Sequence, residues 1–137
     1  MARASAVGLR NAAPALCMWT GVPQRSCVTP VATAVGRDIT TLDGLAARWR
    51  QQQRISDTAV LHPVQQAFID EQATKCGYCI NGWIMTAAAL LEAKPMANDS
   101  ELRQGLSGLK CRCGTQVSVL RAVKRAAAVM AAARGVK

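Results

Sequence analysis

The chain has 137 residues, half of them hydrophobic, and a formal net charge of +9. That length suits one domain or two small ones, with apolar residues enough for a core. The longest apolar stretches, Trp83 to Leu91 and Ala126 to Ala133, fall well short of the roughly twenty residues a membrane span needs, so no membrane span is expected. The basic residues are dispersed, aromatics are 4%, and no nucleic-acid-binding motif accompanies them, so no nucleic-acid partner is expected either.

Residues 1–24 hold Pro14 and Pro23 and show no sustained periodicity, which predicts loop or disorder. They are rich in Ala, Arg and Ser, a composition that also fits an organelle transit peptide. Cys27 to Val35 is β-rich, and Gly36 to Thr41 reads as a turn into a short strand. Asp43 to about Arg54 predicts a polar helix with Thr41 as its N-cap. His62-Pro63 opens the next helix, since proline suits a first turn, and Val64, Ala67, Phe68 and Glu71 follow 3–4 spacing. Gly82 to Glu92 is apolar almost all round, which predicts a buried helix ended by Pro95. Asn98 or Asp99 caps a helix carrying Leu102, Leu106 and Leu109. A last helix, Thr115 to about Ala133, places Val119, Val123, Ala126 and Met130 on one face.

Two short cysteine clusters carry the chemistry: Cys76-Gly-Tyr-Cys79 and Cys111-Arg-Cys113. Each falls where one predicted helix ends and the next begins, so backbone N–H groups at two helix starts face the sulfurs and offset negative charge. No apolar signal-peptide region is present, and close cysteine pairs in an intracellular, cytoplasmic chain more often hold metal than disulfides. Four convergent thiolates suit a tetrahedral zinc ion or an iron–sulfur centre, in which each iron of a 2Fe–2S unit takes two cysteine sulfurs. A zinc ribbon more usually repeats C-x-x-C twice, so the asymmetric spacing leans towards iron–sulfur. Lys75, Lys110 and Arg112 flank the thiols, either as counter-charges or as ordinary surface residues. His62 reads as a helix-start residue rather than a ligand, and Trp83 and Met85 as core. No Ser/His/Asp set, carboxylate pair or phosphate-binding glycine loop is present.

Three segments together resemble a known module: His62-Pro-Val-Gln-Gln-Ala-Phe-Ile69, Cys76-Gly-Tyr-Cys79-Ile-Asn-Gly-Trp-Ile-Met85 and Leu109-Lys-Cys111-Arg-Cys113-Gly114. It is the C-terminal domain of the iron–sulfur small subunit in the xanthine oxidase family of molybdenum hydroxylases. The Cys113-Gly-Thr-Gln116 ending is most similar to the isoquinoline 1-oxidoreductase branch and some nicotinate-type dehydrogenases. Lys75 departs from the pattern, since many relatives have Gln before the first cysteine.

The resemblance implies a mainly α fold: a C-terminal four-helix 2Fe–2S-binding domain over 62–134, preceded by a connecting segment at 46–61. Before that stands a truncated remnant of a β-grasp plant-type ferredoxin domain at 25–45. It implies one 2Fe–2S cluster held by Cys76, Cys79, Cys111 and Cys113, where relatives carry two. It also implies a large molybdopterin-binding partner that acts on an N-heterocycle or aldehyde, and an external electron acceptor. The rival reading is a zinc-stabilised helical interaction module without a redox role.

Gly21 to Cys27 resembles the segment around the fourth ligand of the missing cluster, whose other ligands would fall at Val7, Ala12 and Ala15; none is cysteine. That leaves Cys27 a lone thiol. A reading-frame shift near Thr20 is compatible with this loss, because the codons of Met18-Trp19-Thr20 contain Val-Asp in a shifted frame. Residues 1–24 are therefore expected to be a disordered or out-of-frame segment, and no function is assigned to Cys17.

Overall fold

The computed structural model describes residues 15–135. Among these, five helices follow a small three-stranded sheet: β1 (Leu16–Trp19), β2 (Val22–Arg25), β3 (Ile39–Thr40), α1 (Leu45–Gln53), α2 (Pro63–Asp70), α3 (Ile80–Ala93), α4 (Asp99–Leu106) and α5 (Gln116–Gly135). The sheet order is β2-β1-β3, with β1 antiparallel to both neighbours. The fold is mostly helical, as expected.

Two caps account for where helices begin. His62 Nδ1 accepts from the Val64 backbone N–H at 3.1 Å, while Gln65 Oε1 accepts from the His62 N–H at 3.2 Å. Asn98 and Glu101 make the same reciprocal pair at α4, at 3.0 and 2.9 Å. Both are capping boxes, and each satisfies donors that a helix start otherwise leaves unpaired. The apolar faces then meet: Val64, Ala67 and Phe68 of α2, Met85 and Leu91 of α3, Leu102 and Leu106 of α4, and Val119, Val123, Ala126 and Met130 of α5 form one buried cluster. Ion pairs from Asp70 and Glu71 at the α2 end to Arg121 and Arg125 on α5 run along the outside. Those arginine side chains are more than half exposed, so these pairs contribute little.

Two expectations are corrected. Residues 16–25 form the hairpin β1–β2, so the loop expected through residue 24 does not hold there. All four residues of β1 are buried, and Leu16 and Met18 belong to the same core as the helices. Asn81 Nδ2 of α3 donates to the Leu16 carbonyl at 3.0 Å, tying β1 to α3. Pro23 masked the hairpin in the sequence; the register pairs it with Met18 on an edge strand, where a missing N–H is tolerated. The second correction concerns Cys27 to Val35, which contains a 3-10 turn, Val31–Ala34, and not a strand. This stretch pairs with none of the three strands. Val28, Val31 and Val35 lie exposed on it. Val7 and Ala12 lie outside the described residues.

Candidate iron–sulfur site

Cys76 and Cys79 sit in the loop leading into α3, and Cys79 is the residue at its N-terminal cap. Cys111 and Cys113 sit in the loop between α4 and α5, with Thr115 immediately before α5. Each loop turns through a left-handed glycine next to a cysteine, Gly77 at φ 79° and Gly114 at φ 76°. An added Cβ would meet nothing within 4 Å at either position, so glycine serves the backbone conformation there and not a close approach.

These turns bring all four cysteines, although α3 and α4 lie between the two loops, to the lining of one small pocket shared with Lys75, Trp83 and Thr115. Their electrostatic influence on one another runs between the loops, chiefly Cys76 with Cys113 and Cys79 with Cys111. Cys76 and Cys113 are exposed, while Cys79 and Cys111 are partly buried. Among the described residues no three His, Cys, Asp or Glu side chains gather as a single metal ion requires.

Within each pair one thiol is shifted down and the other up. The Tyr78 backbone N–H, followed by Cys113, draws the Cys76 thiol down, and Cys76 in turn pushes Cys113 up. In the inner pair the Thr115 hydroxyl is the main influence that brings Cys111 down to about 7. Burial, then Cys111 itself, pushes Cys79 up. Thiolates are the metal-binding form of cysteine. Its donor set, four thiols in two pairs, fits two irons with two sulfurs each.

Lys75, Lys110 and Arg112 are exposed around this face. Met85 is wholly buried core, as expected, and His62 is wholly buried at the start of α2. Trp83 is core but also lines the pocket. Cys27 is an exposed free thiol, and Cys17 is buried in β1, where the Trp19 indole N–H donates to its sulfur at 3.0 Å. Thr115 was the residue sequence reasoning passed over. Its Oγ1 lies 3.0 Å from Cys111 Sγ. The available signal was a hydroxyl four residues after a candidate ligand cysteine, directly before a helix.

Residues 41–124 match the family described as the 2Fe-2S binding domain, and the chain belongs to that family. It is 57% identical over 107 residues to one subunit of nicotinate dehydrogenase from Pseudomonas putida, covering 78% of this chain and 62% of that protein. It is 39% identical over 107 residues to the alpha subunit of isoquinoline 1-oxidoreductase from Brevundimonas diminuta, covering 78% of this chain and 63% of the relative. The chain thus spans under two thirds of the length of either relative. Among solved structures, quinoline 2-oxidoreductase from Pseudomonas putida 86 superposes with a TM-score of 0.73 at 30% identity, covering 94% of this chain and 74% of that one. Among the described residues no helix is long and apolar enough to cross a membrane.

Proposed function

We propose that the chain is an electron-transfer subunit of a cytoplasmic molybdenum-containing hydroxylase or dehydrogenase. In this reading Cys76, Cys79, Cys111 and Cys113 hold one 2Fe–2S cluster. The chain relays single electrons from a molybdopterin centre in a large partner subunit towards an external acceptor. The partner subunit hydroxylates an N-heterocycle of the isoquinoline or nicotinate kind, or an aldehyde. Residues 62–134 form the four-helix cluster domain of this reading, with 25–45 the ferredoxin-like remnant.

The observation that carries it is the gathering of four cysteines, two from each loop, at the lining of one pocket, a donor set that suits two irons with two sulfurs each. A tetrahedral zinc ion wants four donors about one point instead. The site's outer edge supports the relay: Cys76 and Cys113 are exposed, and Tyr78 beside them is 68% exposed, so a cluster there lies close to the protein surface. The names of the relatives, nicotinate dehydrogenase and isoquinoline 1-oxidoreductase, support the substrate class.

Part of the same reading is a reading-frame shift near Thr20, which puts the residues before Gly21 out of frame. Thr20 has φ 50° and Gly21 φ 84°, the signature of a type I′ hairpin turn. Asp-Gly is a favoured pair for that turn, and Asp is what the shifted frame writes at position 20. The test of the main reading is single replacement of each of the four cysteines by serine, together with co-expression alongside a molybdopterin-binding large subunit. Each serine variant loses or strongly perturbs the cluster spectrum, and the unmodified chain co-purifies with the large subunit. Four variants with unchanged iron content and spectra would overturn it.

A further inference from the structure

The four thiols are not treated alike by their surroundings. The inner pair, Cys79 and Cys111, is met by two side chains that the fold holds in place. Thr115 is buried, with its hydroxyl 3.0 Å from Cys111 Sγ. A sulfur bound to iron carries no proton, so the hydroxyl must be the donor in that contact. Trp83 is 4% exposed, and its indole N–H finds no acceptor at hydrogen-bond distance among the described residues. Trp83 lines the same small pocket as the four cysteines. An unpaired buried N–H costs free energy, and one aimed at a site that gains negative charge recovers it there. The outer pair, Cys76 and Cys113, is exposed instead.

We infer that Thr115 and Trp83 are positioning donors that set the reduction potential of the cluster, acting through the sulfurs of Cys111 and Cys79. This rests on the cluster reading given above. Reduction adds one electron to the cluster, and the extra negative charge spreads onto the sulfurs. Donors aimed at those sulfurs stabilise the reduced form and raise the potential. Removing one donor therefore lowers it. The effect of a single hydrogen bond corresponds to about fivefold in the ratio of reduced to oxidised cluster at fixed ambient potential, or about 40 mV at 59 mV per tenfold for one electron.

The experiment uses the full chain reconstituted anaerobically with ferrous iron and inorganic sulfide. Iron and sulfide are counted first, and the midpoint is then read by EPR-monitored redox titration. Thr115→Val and Trp83→Phe each shift the midpoint down while keeping full iron and sulfide, and Thr115→Ser, which retains the hydroxyl, stays at the unmodified value. Resonance Raman bands of the iron–sulfur stretches in the unmodified chain move on exchange into heavy water, and this measurement decides the matter if either variant binds iron poorly. Midpoints unchanged in Thr115→Val and Trp83→Phe, a Thr115→Ser shift as large as that of Thr115→Val, or bands indifferent to heavy water would overturn the inference. Failure of the unmodified chain to take up iron and sulfide would instead overturn the cluster reading, and the inference with it.

Discussion

The helical part of the molecule and the small sheet differ in how openly their sequences declare them, yet they share one core. In α2 to α5, caps, apolar faces and buried side chains agree with one another: His62 and Asn98 start helices, and Leu91, Val123 and Met130 are wholly buried. The sheet has three short strands, and the segment between β2 and β3 holds valines open to solvent at 55%, 84% and 83% exposure for Val28, Val31 and Val35. Yet Met18, in the middle of β1, is as buried as any residue of the helices. The sheet is held on the flank of α3 through Leu16, Met18 and the Asn81 hydrogen bond. The edge of the sheet is blunted as well. Ser26 N–H donates to the Ala15 carbonyl, so alternation along the hairpin makes Met18 and Pro23 a non-hydrogen-bonded pair. The N–H that Pro23 lacks is then one that would face outwards, which discourages addition of a further strand.

Truncation of core side chains tests this sharing most strongly. Leu91→Ala in α3 costs about 2–5 kcal/mol, as large-to-small changes at wholly buried sites do. If β1 belongs to the same core, Met18→Ala costs a similar amount in urea denaturation and keeps a single transition. A cost near zero, or a separate early transition, would make the sheet an appendage of the helices.

A smaller effect is expected at the link between α1 and α3. Arg48 grips Glu92 with two hydrogen bonds of 3.0 and 2.8 Å, and His62 Nε2 stands 3.8 Å from the same carboxylate. Because His62 Nδ1 accepts from Val64, the ring proton sits on Nε2, towards Glu92. Burial pushes the Glu92 carboxyl up, but His62 and Arg48 together outweigh it and hold it below its ordinary range. A carboxyl lowered on folding stabilises the fold above its unfolded value, and that contribution is lost as pH falls through the folded one. Glu92→Gln should cost about 1–3 kcal/mol at neutral pH. It should also flatten the acid side of the stability curve, read from urea midpoints between neutrality and about pH 3. Parallel curves for variant and unmodified chain would remove Glu92 from the link.

The smallest change is at the hairpin tip. Thr20 is β-branched and held at φ 50°, a conformation that asparagine adopts far more readily. Thr20→Asn should stabilise the protein by about 1 kcal/mol, visible as a raised urea midpoint. No gain would mean that the turn carries no strain.

Much of the helical half was legible because its signals are local. A Pro after His62 and an Asn three residues before Glu101 announce caps without knowledge of the rest of the chain, and the spacing of Val119, Val123, Ala126 and Met130 gives the face of α5 directly. The cysteines were equally plain as candidates, since close thiol pairs are rare outside metal sites. The hairpin was not legible. Leu16 to Trp19 is an unbroken apolar run without the alternation of a half-exposed strand, because β1 is buried on both faces, and Pro23 argued against a partner strand. The 3-10 turn at Val31–Ala34 was misread because β propensity reflects packing on a half-buried sheet face, and none of these residues is buried. Thr115 was hidden for another reason. Its contact with Cys111 exists only once Gly114 turns the chain back on itself, and no periodicity encodes that turn.

The central claim is that two cysteine pairs brought together by the starts of α3 and α5 hold one binuclear iron–sulfur centre. Metal and acid-labile sulfide analysis of the purified chain, with its absorption spectrum, tests this most directly. The expected result is two irons and two sulfides per chain, no zinc, and a brown protein with one reducible EPR signal. One zinc per chain, no sulfide and no colour would contradict it.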